Sequence, residues 1–188
     1  MKISFRRFFL VLFILGFVAQ PTAVHAQFSD SWDFMKAVKE QDYSTMLDKI
    51  NKGVNINTRD ADGYPAIVLA TDLQSERLVK FLLTNGVNPD AGILGSNETA
   101  MMRRADAGDM DTIRLLVEYG ADVNMVNKSG ETALMRAIRS RKNRVINGLI
   151  ELGADISLTD YTGRTALDYA EETRSSRIIR IVRDGLEQ

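Results

Sequence analysis

The stretch Ile113–Ala137, I-R-L-L-V-E-Y-G-A-D-V-N-M-V-N-K-S-G-E-T-A-L-M-R-A, holds the end of one helix, a long turn and the start of the next. Leu115, Leu116 and Val117 close the first helix. Gly120 follows them, where a left-handed cap suits a residue without Cβ. Asp122, Asn124, Asn127 and Gly130 carry the turn, and all four are turn-prone types. Thr132 stands where a helix N-cap belongs, its hydroxyl able to accept a free N–H of the first turn. Leu134 and Ala137 begin the next apolar face.

The same block recurs on either side. The capping glycines are Gly53, Gly86, Gly120 and Gly153, at steps of 33, 34 and 33 residues. The turn position reads Gly63, Asn97, Gly130 and Gly163, and the helix-start position Pro65, Thr99, Thr132 and Thr165, each at steps of 34, 33 and 33. All three landmarks place one extra residue in the connection between Asp90 and Thr99. A fixed period of this length means stacked supersecondary units, none of which can bury its apolar face alone.

T-A-L-M-R-A at 132–137, T-A-L-D-Y-A at 165–170 and G-A-D-V-N at 120–124 resemble the ankyrin-repeat family, as do G-V-N-I-N at 53–57, G-V-N-P-D at 86–90 and G-A-D-I-S at 153–157. That family's unit is about 33 residues, a turn and two helices, with a T-P-L-H-x-A signature. Ala replaces the signature Pro at 66, 100, 133 and 166. Val68, Met102, Met135 and Asp168 stand where the signature has His. The resemblance covers roughly Trp32 to Val182. It implies an all-α helical solenoid of about five helix-turn-helix repeats with hairpin-like turns, at approximately 28–57, 58–90, 91–124, 125–157 and 158–188. It also implies a module that binds another protein.

Residues 1–26 read as a secretory signal. Lys2, Arg6 and Arg7 form a basic start, Phe8–Val18 an apolar run, and V-H-A at 24–26 a small-x-small cleavage site after Ala26. The run is too short to span a bilayer, which takes about 20 residues. The expected location is therefore periplasmic or secreted, with no stable membrane insertion once the signal is removed. The domain then runs from 27 to 188. Without its three basic residues the protein keeps 21 Lys and Arg of 24 against 25 Asp and Glu, a net charge of −4. That balance argues against nucleic acid as a partner. With no Cys, stability comes without disulfides.

Each unit has its own character. In the first, Trp32, Phe34, Ala37 and Val38 mark one amphipathic helix and Met46, Leu47 and Ile50 the next. In the odd loop Asp90–Asn97, Ile93 and Leu94 stand where polar residues are expected. Either they tuck onto a neighbouring turn or they are contact anchors. In the third unit Arg104 occupies the small-residue position held elsewhere by Ala70, Ala137 and Ala170. An unpaired guanidinium buried there would cost several kcal/mol. Either the helix turns to release Arg104, or an acid such as Asp72 or Asp106 pairs with it. Gly148, inside a helix, is expected to cost about 1 kcal/mol relative to Ala.

Chemistry is limited by what is missing. The one His, His25, lies in the signal, and there is no Cys. That removes Ser-His-Asp and Cys-His catalysis and the usual zinc ligands. No glycine-rich phosphate cradle is present, and paired-acid hydrolysis needs a deep cleft that a thin stack lacks. The expectation is a non-enzyme with no cofactor and no metal. What remains is a surface. The resemblance assigns partner contacts to turn tips and to groove-facing positions of first helices. The expected contact residues are Arg59, Tyr64, Leu73, Ile93, Leu94, Arg103, Arg104, Asp106, Val126, Lys128, Arg136, Arg139, Tyr161 and Arg164. Clustered guanidiniums at 103, 104, 136 and 139 lead to the expectation of an acidic partner surface. The resemblance allows an inhibitor or immunity protein against a toxin or hydrolase, or a stabiliser of a periplasmic stress-defence enzyme.

Overall fold

The computed structural model describes residues 21–187. The basic and apolar parts of the expected signal lie outside them. The expected cleavage bond after Ala26 falls inside the first helix, α1 (Pro21–Glu40). Nine further helices follow among the described residues: α2 (Tyr43–Asn51), α3 (Ala66–Asp72), α4 (Glu76–Thr84), α5 (Ala100–Ala107) and α6 (Met110–Glu118), then α7 (Ala133–Arg139), α8 (Asn143–Glu151), α9 (Ala166–Glu172) and α10 (Ser176–Leu186). They pair as helix hairpins. The odd-numbered helices stack as one layer and α4, α6, α8 and α10 stack beside each other in a second.

Local chemistry sets the period. Thr99, Thr132 and Thr165 each accept a first-turn N–H, from Met102, Met135 and Asp168. In the last unit Asp168 reaches back to the Thr165 N–H and completes a capping box. Aspartates and serines cap the second helices, with Asp42, Ser75, Asp109 and Ser175 each accepting a first-turn N–H. Between units the backbone forms a hairpin-like finger. Its tip is closed by Asp60, Asn127 or Asp160, whose side chain accepts two backbone N–H groups. Arg59 and Pro65, and Thr159 and Thr165, form single antiparallel bridges at the finger bases.

The core runs unbroken between the layers. Ile67, Leu78, Leu82, Met102, Ile113, Leu116, Leu134 and Ile138 are fully buried, each contributing roughly 1.5–3 kcal/mol of transfer free energy. Met35, Met46, Met101, Met102, Met110 and Met135 all fill this core. Gly148 has a packing reason: a Cβ there would lie 2.4 Å from Met110 Sδ, so α6 and α8 approach over a bare backbone. Trp32 departs from expectation. It is 64% exposed, because it sits at the helix-start position one period before Pro65 and not on the inner face of α1.

Candidate protein-binding surface

The first helices and fingers carry a continuous network of charge. Arg104 is only 7% exposed, and its Nη2 donates to Asp72 Oδ1 at 2.8 Å. Of the two alternatives, pairing with Asp72 is the one the protein uses. Its Nε is buried without a partner among the described residues. Arg103 grips the same carboxylate, Nε to Oδ1 and Oδ2 at 3.1 Å each, and reaches Glu98 at 3.4 Å. Arg136 sits between Glu98, at 2.6 Å, Glu131, at 3.5 Å, and Asp106. Asp106 also accepts from Ser140 Oγ at 2.7 Å.

The network continues through Glu131, which is buried and shared by Arg139, Arg136, the Asn127 amide and the Tyr169 hydroxyl. Tyr169 also donates to Asp160 Oδ2 at 2.9 Å, and Arg164 joins Asp160 at 2.8 Å to Glu172 at 3.2 Å. Burial pushes the Glu131 carboxyl up. The Asn127 amide and the two guanidiniums outweigh it and leave the group below its ordinary value. Asp160 behaves alike: desolvation raises it, but Thr162, Arg164 and Tyr169 hold it well below the usual carboxylate range. The Tyr169 hydroxyl is pushed up, by burial first and by its bond to Asp160 second.

This changes the reading of the basic cluster. Arg103, Arg104, Arg136, Arg139 and Arg164 are neighbours, but six carboxylates stand among them: Asp72, Glu98, Asp106, Glu131, Asp160 and Glu172. The groove is not a free basic patch, and the basis for expecting an acidic partner there is gone. The guanidinium heads are spent on the stack itself. Arg59 is likewise a staple, donating to the Gly92 C=O at 3.1 and 2.9 Å. Tyr64 is half-buried with the Arg103 guanidinium 6.0 Å from its ring centre.

The apolar positions divide. Ile93 is buried and its N–H donates to the Glu98 C=O, so it tucks in. Leu94 is 72% exposed and Tyr161 74%; each lies over the glycine of the preceding finger, Gly63 and Gly130. Lys128 lies at the tip between them, exposed, and Val126 is half-buried below it. Leu73 is exposed at the end of α3. Asp160, absent from the expected contact residues, holds Tyr169 and Arg164, both within nine residues of it. Asp62 donates its N–H to Asp60, and no described group of acids could hold a metal ion.

The family model for ankyrin repeats in three copies matches residues 34–127, 76–160 and 105–187. The chain belongs to the ankyrin-repeat family. It is similar to an ankyrin-repeat protein of Fowlpox virus (strain NVSL), 27% identical over 96 residues, which is 50% of this chain and 16% of that protein. It is also similar to Zygote-specific protein 3 of Chlamydomonas reinhardtii, 30% identical over 123 residues, 64% of this chain and 31% of that protein. The chain thus spans less than a third of the length of either relative. Ankyrin repeats are protein–protein interaction modules, and this family is non-catalytic. Among the described residues no helix is long and apolar enough to cross a membrane.

Proposed function

We propose that this protein binds a partner protein through its finger tips, with Leu94 and Tyr161 as the anchors. The observation that carries the reading is a contrast of exposure. Two large apolar side chains stand out at the tips, 72% and 74% exposed, while the arginines behind them are tied to carboxylates of the stack. Apolar side chains held on rigid turns make good anchors because little entropy is lost when they are buried. Lys128 and the partly exposed Arg139 and Arg164 form the polar rim. Binding is the function, without catalysis and without a cofactor. The protein is exported, and its partner is met outside the cytoplasm; the basic start, the apolar run and V-H-A at 24–26 support this.

The test is capture from a periplasmic extract by wild type beside Leu94→Ser/Tyr161→Ser. The double variant is expected to keep its circular dichroism and lose the partner, identified by mass spectrometry. Undiminished capture by the double variant would move the site off the tips. Export is checked separately by the mature N-terminus: Gln27 is expected, and a retained Met1 overturns it.

A further inference from the structure

Every finger after the first is stitched to the one before it by a backbone hydrogen bond. Leu94 N–H donates to the Gly63 C=O at 2.9 Å, Lys128 N–H to Ser96 at 2.8 Å, and Tyr161 N–H to Ser129 at 3.0 Å. The residue at this place in the first finger is Ala61, whose N–H has no acceptor among the described residues. The cause lies upstream. One period before Pro65 stands Trp32, and residues 21–31 are helix where the other units make a finger. Among the described residues the first unit makes no finger, so the first finger has an open edge there.

The open edge borders a cleft of about 560 Å³, lined by Trp32, Met35, Lys36 and Lys39 of α1 and by Thr58–Ala61 of the finger. Its exposure shows what is absent. At the same helix-start position Thr99 is 1% and Thr132 2% exposed, covered by their fingers, whereas Trp32 is 64% exposed. The rim is cationic. Lys36 lies over the Trp32 ring at 5.7 Å, and its one ion pair among the described residues, with Glu40, is loose at 3.9 Å. Asp60, the acid in the cleft, is already filled by Lys39 and by the N–H groups of Asp62 and Tyr64. The cleft therefore offers one free backbone donor, one indole face and one weakly paired ammonium.

The geometry points to a docking site for an acidic turn of a partner protein, which takes the place of the missing finger. A backbone carbonyl of that turn accepts the Ala61 N–H, an apolar residue covers Trp32 and Met35, and a carboxylate meets Lys36. This is strand addition to an open edge, with backbone bonds giving affinity and side-chain pockets giving specificity. A second copy of the protein is the poorer occupant. Stacked head to tail it would bring α9 and its last finger here, and the acids they carry are already engaged, Asp160 and Glu172 by Arg164 and Glu171 by Arg183. The cleft is separate from the Leu94 and Tyr161 tips and does not depend on their role.

The probe is the protein's own first-finger sequence, Asp-Ala-Asp-Gly-Tyr, closed between two cysteines as a cyclic peptide. It is titrated into ¹⁵N-labelled protein and followed by NMR. The Ala61 amide and the Trp32 indole N–H are expected to shift together in a saturable way. Trp32→Ala and Lys36→Glu, both at exposed positions, each weaken binding about tenfold or more. A peptide with Lys for both Asp residues does not bind, and Leu94→Ser/Tyr161→Ser binds like wild type. Three results would overturn the assignment: no shift at Ala61 with millimolar peptide, equal binding of the Lys peptide, or concentration-dependent self-association that protects Ala61 with no peptide present.

Discussion

The interior of the array and its N-terminal edge follow one register and meet opposite fates. In the third and fourth units polar groups of a helix or finger find partners in the unit beside them: Arg104 in Asp72, Arg136 in Glu98, the Lys128 N–H in Ser96. In the first unit the same positions lack that neighbour among the described residues, and Trp32 and the Ala61 N–H stay open. In a stack whose units touch only their neighbours, a residue's environment is set one period away and not within its own unit.

The largest break in the interior should come from Asp72. Asp72→Asn removes the charge that holds Arg104 and Arg103, leaving a guanidinium buried unpaired. Losing one partner of a buried pair costs 3–5 kcal/mol, and since Asp72 is itself partly exposed, about 3 kcal/mol is expected in urea unfolding. Adding Arg104→Ala restores the small residue that the other units carry and should recover most of the loss. If the double variant is as unstable as the two single losses summed, the pair is not the source of the cost.

A finer comparison sets two finger glycines against each other. Gly130 (φ +78°) and Gly163 (φ +87°) share the left-handed conformation. A Cβ on Gly130 would lie 2.7 Å from the Tyr161 backbone N, whereas Gly163, on the last finger, meets nothing within 4 Å. Gly163→Ala should cost only the conformational strain, about 1–2 kcal/mol. Gly130→Ala should cost roughly 2 kcal/mol more, because the next finger must shift. Equal losses would mean that the fingers are not packed as a row.

The row itself was legible in the sequence, because capping glycines, finger positions and N-cap threonines are local chemistry repeated at a fixed step. The register also places Leu94 and Tyr161 on finger tips and Arg103, Arg104, Arg136 and Arg139 on first helices, where the structure has them. Pairing across units could be read only for Arg104, whose misfit in a small-residue position calls for an acid such as Asp72. Arg103, Arg136 and Arg139 look like part of a basic patch when their helices are read one at a time. Their acids arrive from other segments, Asp72 from α3 and Glu98 and Glu131 from the fingers, at separations that no local pattern marks. Trp32 failed for a related reason. An aromatic at helical spacing reads as core, and only the absence of a finger above it leaves it bare.

Acid should separate interior from edge with the smallest effect at neutral pH. Glu131, deep in the network, has a folded value below its ordinary 4.5, and Asp160 one well below 3.8. A carboxylate lowered on folding contributes stability above its unfolded value, and that stability drains as pH falls through the folded value. Melting temperature should therefore be level from neutral pH down to about 4.5 and fall below it. At the edge, Asp42 is held at about 2, first by the Thr45 hydroxyl and then by Ser44, so its share is lost between 3.8 and about 2. Asp90 runs the other way. Burial raises it, so protonation there favours the folded state and offsets part of the early loss. Glu131→Gln should lower stability at neutral pH and flatten the first part of the acid decline. Asp42→Asn should leave that part alone and alter only the deeper one. An onset unchanged by Glu131→Gln would show that the network does not set the acid stability of the stack.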